Sequence, residues 1–378
     1  METYGIYLRP KGSLAGTISS DTLFGALCWS IKELYGTAEL EGILSKFREN
    51  PKFIISSAFP YLYRDSEKVR FFPKPLLPSL SSLQVDGLAS ESKGVRRGPQ
   101  NVFVKRRAIV EVVEKEKPIR SVDYFSQRLF EEIVKGEIET ESLFRRFVDR
   151  GVRDEDIEKI GNALITKGER VLINPDGEQR LFWGEVDVQR NEIDRLTGST
   201  VEGRLFFTKE TFFTRSFGGL WFILRTDDLE YIKPLLRYLE DTGIGGERTV
   251  GKGHFAIPLD EICKVEIPDS GKDANCFITL SRYIPLNDEC AFEQRPLSYS
   301  LSSIRPKHES RLPGINHRIY KKMLRVFEIG SILPIQSRKE PGYYGQIVPV
   351  GINAEKAGWH VWHNGMTIPV FAKIRGDE

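Results

Sequence analysis

The sequence predicts an α+β protein built from two modules. Its 378 residues, 40% of them hydrophobic, exceed one ordinary domain, because domains commonly hold roughly 150 residues. Strand-like and helical patterns are mixed along the chain, and the mixture begins again after a polar stretch near residue 270. We therefore expect modules over residues 1–262 and 273–378, the first with an insertion at 79–180 and a glycine-rich loop at 243–253.

The first elements are a strand and a helix. Tyr4–Pro10 has the pattern of a short strand, and Ser20–Tyr35 carries apolar residues at helical spacing. A serine at the start of this helix can cap it, Asp21 places negative charge at its positive end, and Gly36 is a stop signal. A polar loop is expected between the two elements.

The next part of the chain is interrupted. Phe53–Phe59 is predicted to be a second strand, after which prolines and a Ser/Gly-rich run break both periodicities. The charged insertion that follows contains a β-branched run, Val102–Val113, and two predicted helices, Asp123–Lys135 and Glu141–Arg150.

Regular patterning then returns and continues to the end of the chain. Apolar residues at helical spacing predict a helix over Asp228–Leu239, which ends at a cluster of glycines. A second helix is predicted over Asn316–Phe327. The predicted strands are Leu181–Val188, Gly203–Thr208, Leu220–Leu224, His254–Leu259, Cys276–Tyr283, Gly345–Val350 and Thr367–Ala372.

The glycine cluster GIGGERTVGKGHF resembles two nucleotide-binding motifs but fits neither. Gly246–Lys252 satisfies GxxxxGK, yet Gly253 stands where a P-loop needs a hydroxyl for magnesium. The segment also leaves a helix and enters a strand, which is the reverse of a P-loop or a Rossmann turn. Two interpretations remain: a phosphate cradle of backbone amides with Arg248, Lys252 and the hydroxyl of Thr249, or glycines needed only for a tight turn.

Two stretches are locally basic although 55 Lys and Arg nearly balance 53 Asp and Glu. Glu91–Val110 holds six basic residues and one acidic residue, and Arg295–Arg325 holds eight basic residues against Glu309. Tyr299 and Tyr320 lie within the second run, where they could stack on bases. Together with the glycine loop these runs favour a polyanion-binding surface, and an ordinary solvated face is the alternative.

Catalytic and metal signals are weak. No histidine precedes His254, the cysteines form no CxxC pair, and His360 and His363 lack the helical context that would bring both rings to one metal ion. We expect no catalytic residue, no metal site and no cofactor. Because apolar runs are too short to span a bilayer and no signal core follows Met1, we expect a cytoplasmic protein without a membrane partner.

Seven segments carry a family resemblance. They are YGIYLRP, SSDTLFGALCWSI, FIISSAFPYLY, RNEIDRLTGSTVEGRLFF, DTGIGGERTVGKGHF, ITLSRYIPL and EIGSIL. In this order they resemble the RAMP proteins of type III CRISPR systems, and among them the fourth subunits of Csm (type III-A) complexes. The resemblance implies two tandem ferredoxin-like modules of RRM type. It also implies a non-catalytic subunit that holds the 5′ handle of the crRNA, contacts the large polymerase-like subunit and a backbone RAMP subunit, and meets target RNA indirectly.

The resemblance and the basic runs together give a set of expected RNA-binding residues. Those expected around the glycine loop are Gly243, Gly245, Gly246, Arg248, Thr249, Gly251, Lys252, Gly253 and His254, with Lys11, Ser20 and Asp21 from the loop before the first helix. Those expected from the second basic run are Arg305, Lys307, Arg311 and Arg318. A thumb-like element is expected at Arg96, Arg97, Lys105, Arg106 and Arg107.

The alternative function within the family is an endoribonuclease that acts on crRNA or target RNA. Processing enzymes of this kind use a histidine general base near the start of the chain, and this chain has none there. Target-cleaving backbone subunits use an aspartate after the first strand, and the chain offers Asp21, whose expected role is to stabilise the helix terminus.

Overall fold

The computed structural model describes residues 1–64, 67–80, 82–91, 109–114, 122–145, 164–166, 171–173, 179–181, 183–213, 218–307, 321–338, 342–350 and 361–375. Over these ranges the chain is a mixed α/β protein, and every strand pair is antiparallel. No helix in these ranges combines the length and apolar character needed to cross a bilayer.

Twenty strands are described. In the first part of the chain they are β1 (Glu2–Pro10), β2 (Phe53–Ile55), β3 (Phe59–Arg64), β4 (Glu67–Pro73), β5 (Val122–Ser126), β6 (Leu164–Thr166), β7 (Val171–Ile173), β8 (Gln179–Leu181), β9 (Trp183–Ile193), β10 (Thr200–Phe213) and β11 (Gly218–Thr226). The later strands are β12 (Phe255–Ala256), β13 (Cys263–Lys264), β14 (Cys276–Thr279), β15 (Leu301–Ile304), β16 (Leu324–Phe327), β17 (Ile332–Pro334), β18 (Ile347–Pro349), β19 (Trp362–Asn364) and β20 (Pro369–Ala372).

The α-helices of the described ranges lie in the first two thirds of the chain. They are α1 (Ser20–Tyr35), α2 (Thr37–Lys46), α3 (Ser82–Glu91), α4 (residues 109–114), α5 (Gln127–Val134), α6 (Thr140–Phe144) and α7 (Leu229–Thr242). Asp228 caps α7 by accepting a hydrogen bond from the Tyr231 N–H at 3.0 Å.

A large sheet organises the fold. Its order is β12-β1-β11-β3-β4, continued through β5 to β8, with β2 on β11 and β13 on β1. Strands β1 and β11 pair from Glu2↔Thr226 to Leu8↔Leu220. Since α1 follows β1 and α7 follows β11, both helices return the chain across this sheet, and both contribute to its core.

The core is continuous from the first part of the chain to the last. Leu27 of α1 and Leu235 of α7 are fully buried against β1 and β11. Each such side chain contributes about 1.5–3 kcal/mol to folding. Ile278 and Val370, from the small sheet β17-β14-β20, belong to the same buried cluster.

Helix α5 connects the predicted insertion to this core. The Phe130 ring stacks on Phe72 of β4 at a centroid distance of 4.6 Å, and the Val134 carbonyl accepts a hydrogen bond from the Lys373 N–H at 2.9 Å. The middle of the chain therefore packs against its C-terminal strands. The predicted division at 262 and 273 stays a prediction.

Several predicted elements are confirmed. The first helix has the predicted bounds, and α7 covers most of its predicted range. The predicted strands of the first part overlap β1, β2, β9, β10 and β11, and the later ones overlap β12, β14, β18 and β20.

Two predicted helices are wrong in part. Residues 123–126 belong to strand β5, which pairs with β4, so the helix begins only at Gln127. Leu324–Phe327 is a strand paired with Leu301–Ile304, and residues 316–320 lie outside the described ranges. The β-branched run ends in a helix, because residues 109–114 are helical.

Candidate nucleic-acid interface

The glycine loop begins where α7 ends and closes on itself. Gly243 ends the helix with φ +78°, and the Ile244 N–H donates to the Gly253 carbonyl at 2.8 Å. A Cβ at Gly253, whose φ is +69°, would lie 2.1 Å from the Ile244 carbonyl oxygen. Gly243 and Gly253 are therefore required by the closure of the loop.

The backbone between these two glycines repeatedly enters the left-handed region. Gly245 has φ +93°, Glu247 has φ +56° and Gly251 has φ +88°. Within the described ranges, the N–H groups of Gly245, Gly246 and Glu247 donate to no backbone carbonyl. Successive amides in such a conformation form a concave anion site, so this segment can receive a phosphate.

The loop after β1 packs against the glycine loop. The Lys11 N–H donates to the His254 carbonyl, and the Gly253 N–H donates to the Ser13 carbonyl, each at 2.8 Å. A Cβ at Gly12 would lie 2.8 Å from the Gly251 carbonyl oxygen. The predicted neighbourhood of these two loops is present in the structure.

Lys252 was expected to bind RNA, but its side chain lies inside the protein. Its side chain is 1% exposed, and its ammonium lies 2.9 Å from Oε1 of Glu210 and also pairs with Glu247. Thr208 accepts from the same ammonium at 3.4 Å. Because the charge is buried and paired, Lys252 positions the loop and does not present its ammonium at the surface.

Glu210 of β10 links three segments. It accepts hydrogen bonds from Arg190 of β9 at 2.7 Å and from the Ser13 hydroxyl at 2.8 Å, besides its ion pair with Lys252. Burial alone would raise the pKa of Glu210, but these donors outweigh burial and lower the pKa to about 2. Burial lowers the pKa of Lys252, and the carboxylates of Glu247 and Glu210 reverse that effect, so the net shift is upward.

Other predicted residues line the outside of the loop. Thr249 is exposed and Arg248 is half-buried, in a 3-10 turn that ends at Gly251. His254 is half-buried, with Nε2 at 3.2 Å from the Arg248 carbonyl oxygen, so its ring supports that turn. Lys11 is half exposed and donates to Glu240 at 3.1 Å.

Ser20 and Asp21 lie away from this surface. Ser20 is fully buried, and its hydroxyl accepts a hydrogen bond from the Arg282 N–H at 3.2 Å. Asp21 is 12% exposed and pairs with the Arg282 guanidinium at 3.4 Å. Both residues therefore join α1 to the later part of the chain, and neither side chain faces the glycine loop.

A long hairpin extends from the same place. Strands β9 and β10 pair with each other, and the hairpin carries Arg190 on β9 and Glu210 on β10. Alternation puts Phe206 and Phe212 on the face of Glu210, and both rings are about half exposed. Residues 183–213 hold four basic and six acidic side chains. Any contribution of this hairpin to polyanion binding would come from stacking, since its charge is unfavourable.

The remaining predicted residues are only partly described. Arg305 and Lys307 follow β15, and each has an interaction partner within the protein. Arg311, Arg318 and the expected thumb residues Arg96, Arg97, Lys105, Arg106 and Arg107 lie outside the described ranges. In the part of the chain described, no three His, Cys, Asp or Glu side chains come together as a group that could bind a metal ion.

Sequence reasoning missed the residues that hold the loop. Ser13, Arg190, Glu210 and Glu247 were absent from the expected site. Glu210 and Glu247 pair with Lys252, and Ser13 and Arg190 donate to Glu210. A lone glutamate in a strand gives no local signal. The only hint is that Glu210, with Lys209 before it, interrupts an otherwise apolar and hydroxyl-bearing segment.

Comparison with known families defines the class of protein. The profile described as the RAMP superfamily matches residues 17–256, more than half of the chain. The chain belongs to the RAMP superfamily.

Two curated relatives share the same description, "CRISPR system Cms protein Csm4". The protein from Thermococcus onnurineus is 27% identical over 285 residues, which cover 74% of this chain and 74% of the relative. The protein from Methanocaldococcus jannaschii is 24% identical over 277 residues, which cover 68% of this chain and 61% of the relative.

Solved structures show the same fold. A Csm4-containing structure, the Csm3-Csm4 subcomplex of the type III-A CRISPR-Cas interference complex, matches with a TM-score of 0.55 at 16% identity over 98% of both chains. The Csm1-Csm4 cassette in complex with pppApA matches with a TM-score of 0.52 at 18% identity over the whole of both chains.

Proposed function

We propose that this chain is a non-catalytic subunit of a type III-A Csm effector complex and that it holds the 5′ handle of the crRNA. Membership of the RAMP superfamily and the two relatives described as Csm4 support the assignment to such a complex. The shape and electrostatics of the glycine loop support the role in RNA binding.

The main support for RNA binding is the way in which the glycine loop is held in place. The ion pair of Lys252 with Glu210 holds the loop in place. Within the described ranges, the amides of Gly245, Gly246 and Glu247 donate to no backbone carbonyl, and Thr249 is exposed. A rigid backbone with unused amides can bind phosphate without a metal ion. Phosphate contacts of this kind position an RNA strand, and bases are read by separate contacts.

The sheet order supports a ferredoxin-like first module. Taking β1, β3, β11 and β12 as its four strands, the order across the sheet is fourth, first, third, second. Helix α1 lies between the first two strands in sequence, and α7 lies between the last two. This is the β-α-β-β-α-β arrangement. We extend the proposal to a second RRM-type module in the C-terminal part, built around β17-β14-β20.

We also propose the partners that the family resemblance implies. The solved structures with this fold hold Csm4 together with Csm1 in one case and with Csm3 in the other. By analogy, this subunit would contact the large polymerase-like subunit and a backbone RAMP subunit, and would meet target RNA through the crRNA.

Salt-dependent RNA binding tests the proposal. The probe is a single-stranded RNA with the cognate repeat-derived handle, titrated into the chain at several salt concentrations. We expect Arg248→Ala to weaken binding and to reduce the slope of log K against log salt by up to ~0.7 for one lost phosphate contact. Arg128→Ala removes an exposed arginine of α5 and is the matched control, for which both quantities should stay unchanged. Equal binding by the two variants would refute the role of the loop.

The endoribonuclease alternative is tested separately. Asp21, the residue that this alternative needs, is engaged with Arg282 and is largely shielded from solvent. We expect no metal-dependent cleavage of labelled RNA by the chain. Turnover that is abolished by Asp21→Ala would establish the alternative.

A further inference from the structure

A second surface lies on the C-terminal part of the chain and has the chemistry of a base-stacking site. Strands β15 and β16 form a two-stranded ribbon in which Leu301 lies opposite Phe327 and Ser303 lies opposite Arg325. Alternation puts these four side chains on one face. Val326 points to the other side and is fully buried, so the first face is the outer one.

Three aromatic rings lie on this outer face, and one of them contacts the other two. Phe292 stacks on Phe327 with the ring centroids 6.0 Å apart, and Tyr299 meets Phe327 edge-on at 5.2 Å. Tyr299 is 49% exposed and Phe292 is 41% exposed. We call Phe292, Tyr299, Leu301 and Phe327 the aromatic face.

The aromatic face is rigidly supported from below. Phe327 contacts Tyr283 at 6.1 Å, and Tyr283, which is fully buried, contacts Phe277 at 5.8 Å. The Tyr283 hydroxyl donates to Glu289 at 2.9 Å. Because this row of rings reaches into the core, the exposed rings lose little conformational freedom when a ligand stacks on them.

The surrounding side chains favour a nucleic acid over a protein. Segments 292–307 and 321–327 together carry six basic residues and one acidic residue. Serine is depleted in the cores of protein interfaces, yet the segment Ser298–Ser303 holds four serines and Tyr299. Hydroxyls and arginines are the usual partners of sugars and phosphates. Exposed aromatic rings with nearby cations are the usual platform for unpaired bases.

The aromatic face is also connected to the proposed RNA surface. The Arg282 guanidinium joins Glu328, next to Phe327, at 3.1 Å, and joins Asp21 at the start of α1 at 3.4 Å. The loop that precedes α1 is the one that packs against the glycine loop. These contacts join the strand that carries Phe327 to the helix that follows the loop packed against the glycine loop.

We propose that the aromatic face binds unpaired bases of single-stranded RNA, with Tyr299 as the stacking residue and Arg325 as a phosphate contact. The inference rests on the proposed RNA-binding function, and it assigns base contacts to a site separate from the phosphate-binding loop.

The test uses the whole chain and two RNA probes. One is a single-stranded RNA, and the other has the same backbone with abasic nucleotides in place of a run of bases. Tyr299→Leu removes the ring and keeps an apolar side chain, whereas Tyr299→Phe keeps the ring. We expect Tyr299→Leu to weaken binding of intact RNA roughly 5- to 150-fold, the range of one base stacked on an aromatic ring, and Tyr299→Phe to bind normally.

The abasic probe separates stacking from other effects. Wild-type protein should lose affinity for it, and Tyr299→Leu should then cause little further loss. Thermal unfolding of each variant checks that the fold is intact. If Tyr299→Leu binds both probes as the wild type does, the proposal is wrong. The same holds if the variant loses only the binding of a partner subunit, since the face would then be a protein interface.

Failure of the aromatic-face proposal can be distinguished from failure of the proposed RNA binding by the glycine loop. Arg248→Ala should weaken binding of intact and abasic RNA to the same degree, because the glycine loop contacts phosphates. A normal Arg248→Ala variant beside a defective Tyr299→Leu variant would refute the role of the loop and leave the aromatic face as the RNA site.

Discussion

The Lys252 ammonium lies 2.9 Å from a carboxylate oxygen of Glu210, and both side chains are almost completely withdrawn from solvent. The pair joins the glycine loop to β10, 42 residues earlier in the chain. Since Ser13 and Arg190 donate to the same carboxylate, three segments meet at one buried charge. The conformation of the loop therefore depends on a contact beneath it.

Replacing Lys252 tests this arrangement. Lys252→Met leaves the Glu210 carboxylate buried with fewer donors, and breaking a buried pair in this way costs about 3–5 kcal/mol. The double variant Lys252→Met with Glu210→Leu should recover part of that loss. The measurement is the free energy of unfolding in urea. In RNA titrations the salt slope of Lys252→Met should match the wild type, and a drop of ~0.7 would show that Lys252 contacts a phosphate.

Two glycines of the loop should respond differently to alanine. At Gly253 an added methyl group would meet the Ile244 carbonyl, and the φ of +69° is unfavourable for alanine by roughly 1–2 kcal/mol even without the clash. Around Gly246 there is open space and φ is not positive. We expect Gly253→Ala to lower stability clearly and Gly246→Ala to leave it unchanged. If RNA approaches the Gly246 backbone, Gly246→Ala should still weaken RNA binding.

His363 should make stability depend on pH. The ring is 2% exposed, and its Nε2 has no hydrogen-bond partner within the described ranges. Burial, with Lys321 and Arg282 nearby, lowers the pKa to about 4 despite the opposing charge of Asp21. The unfolded chain then binds more protons between the two pKa values, so the free energy of unfolding falls as pH drops from about 6.5 towards 4. His363→Leu should flatten the curve between pH 6.5 and 5, and an unchanged slope would contradict this account.

Phe130 tests the attachment of α5. Its ring is fully buried and stacks on Phe72, so Phe130→Ala should cost about 3–5 kcal/mol. Phe212→Ala, in the half-exposed part of the hairpin, is the control and should stay within about 0.5 kcal/mol. If Phe130→Ala lowers the free energy of unfolding as little as Phe212→Ala does, α5 is not part of the cooperative unit.

Much of the fold could be predicted where the local pattern was long and regular. Helix α1 has apolar residues at helical spacing over four turns and a glycine after it, and its predicted bounds are confirmed. Leu324–Phe327 was misassigned because a short apolar run fits a helix and a strand equally well. Pairing with Leu301–Ile304 decides its conformation, and that pairing is not visible in either segment alone.

The candidate site was predictable in position but not in its internal roles. The glycines of the loop are recognisable because a backbone in the left-handed region needs them. That Lys252 is buried while Thr249 is exposed depends on Glu210, which approaches from another strand. The spacing of residues within the loop contains no information about that approach.

The contact between α5 and the last strands also bears on how the protein is made. The Lys373 N–H reaches back to Val134, and Ile278 and Val370 complete a core that begins at Tyr4. A ribosome must therefore release the chain as far as β20 before this core can close. Until then apolar surface of β1, α1 and α5 stays uncovered, and contacts of such long sequence separation form slowly. Nascent chains of this protein should consequently depend on chaperones until β14 and β20 have left the ribosome, and truncation before these strands should yield aggregates in place of a folded N-terminal fragment.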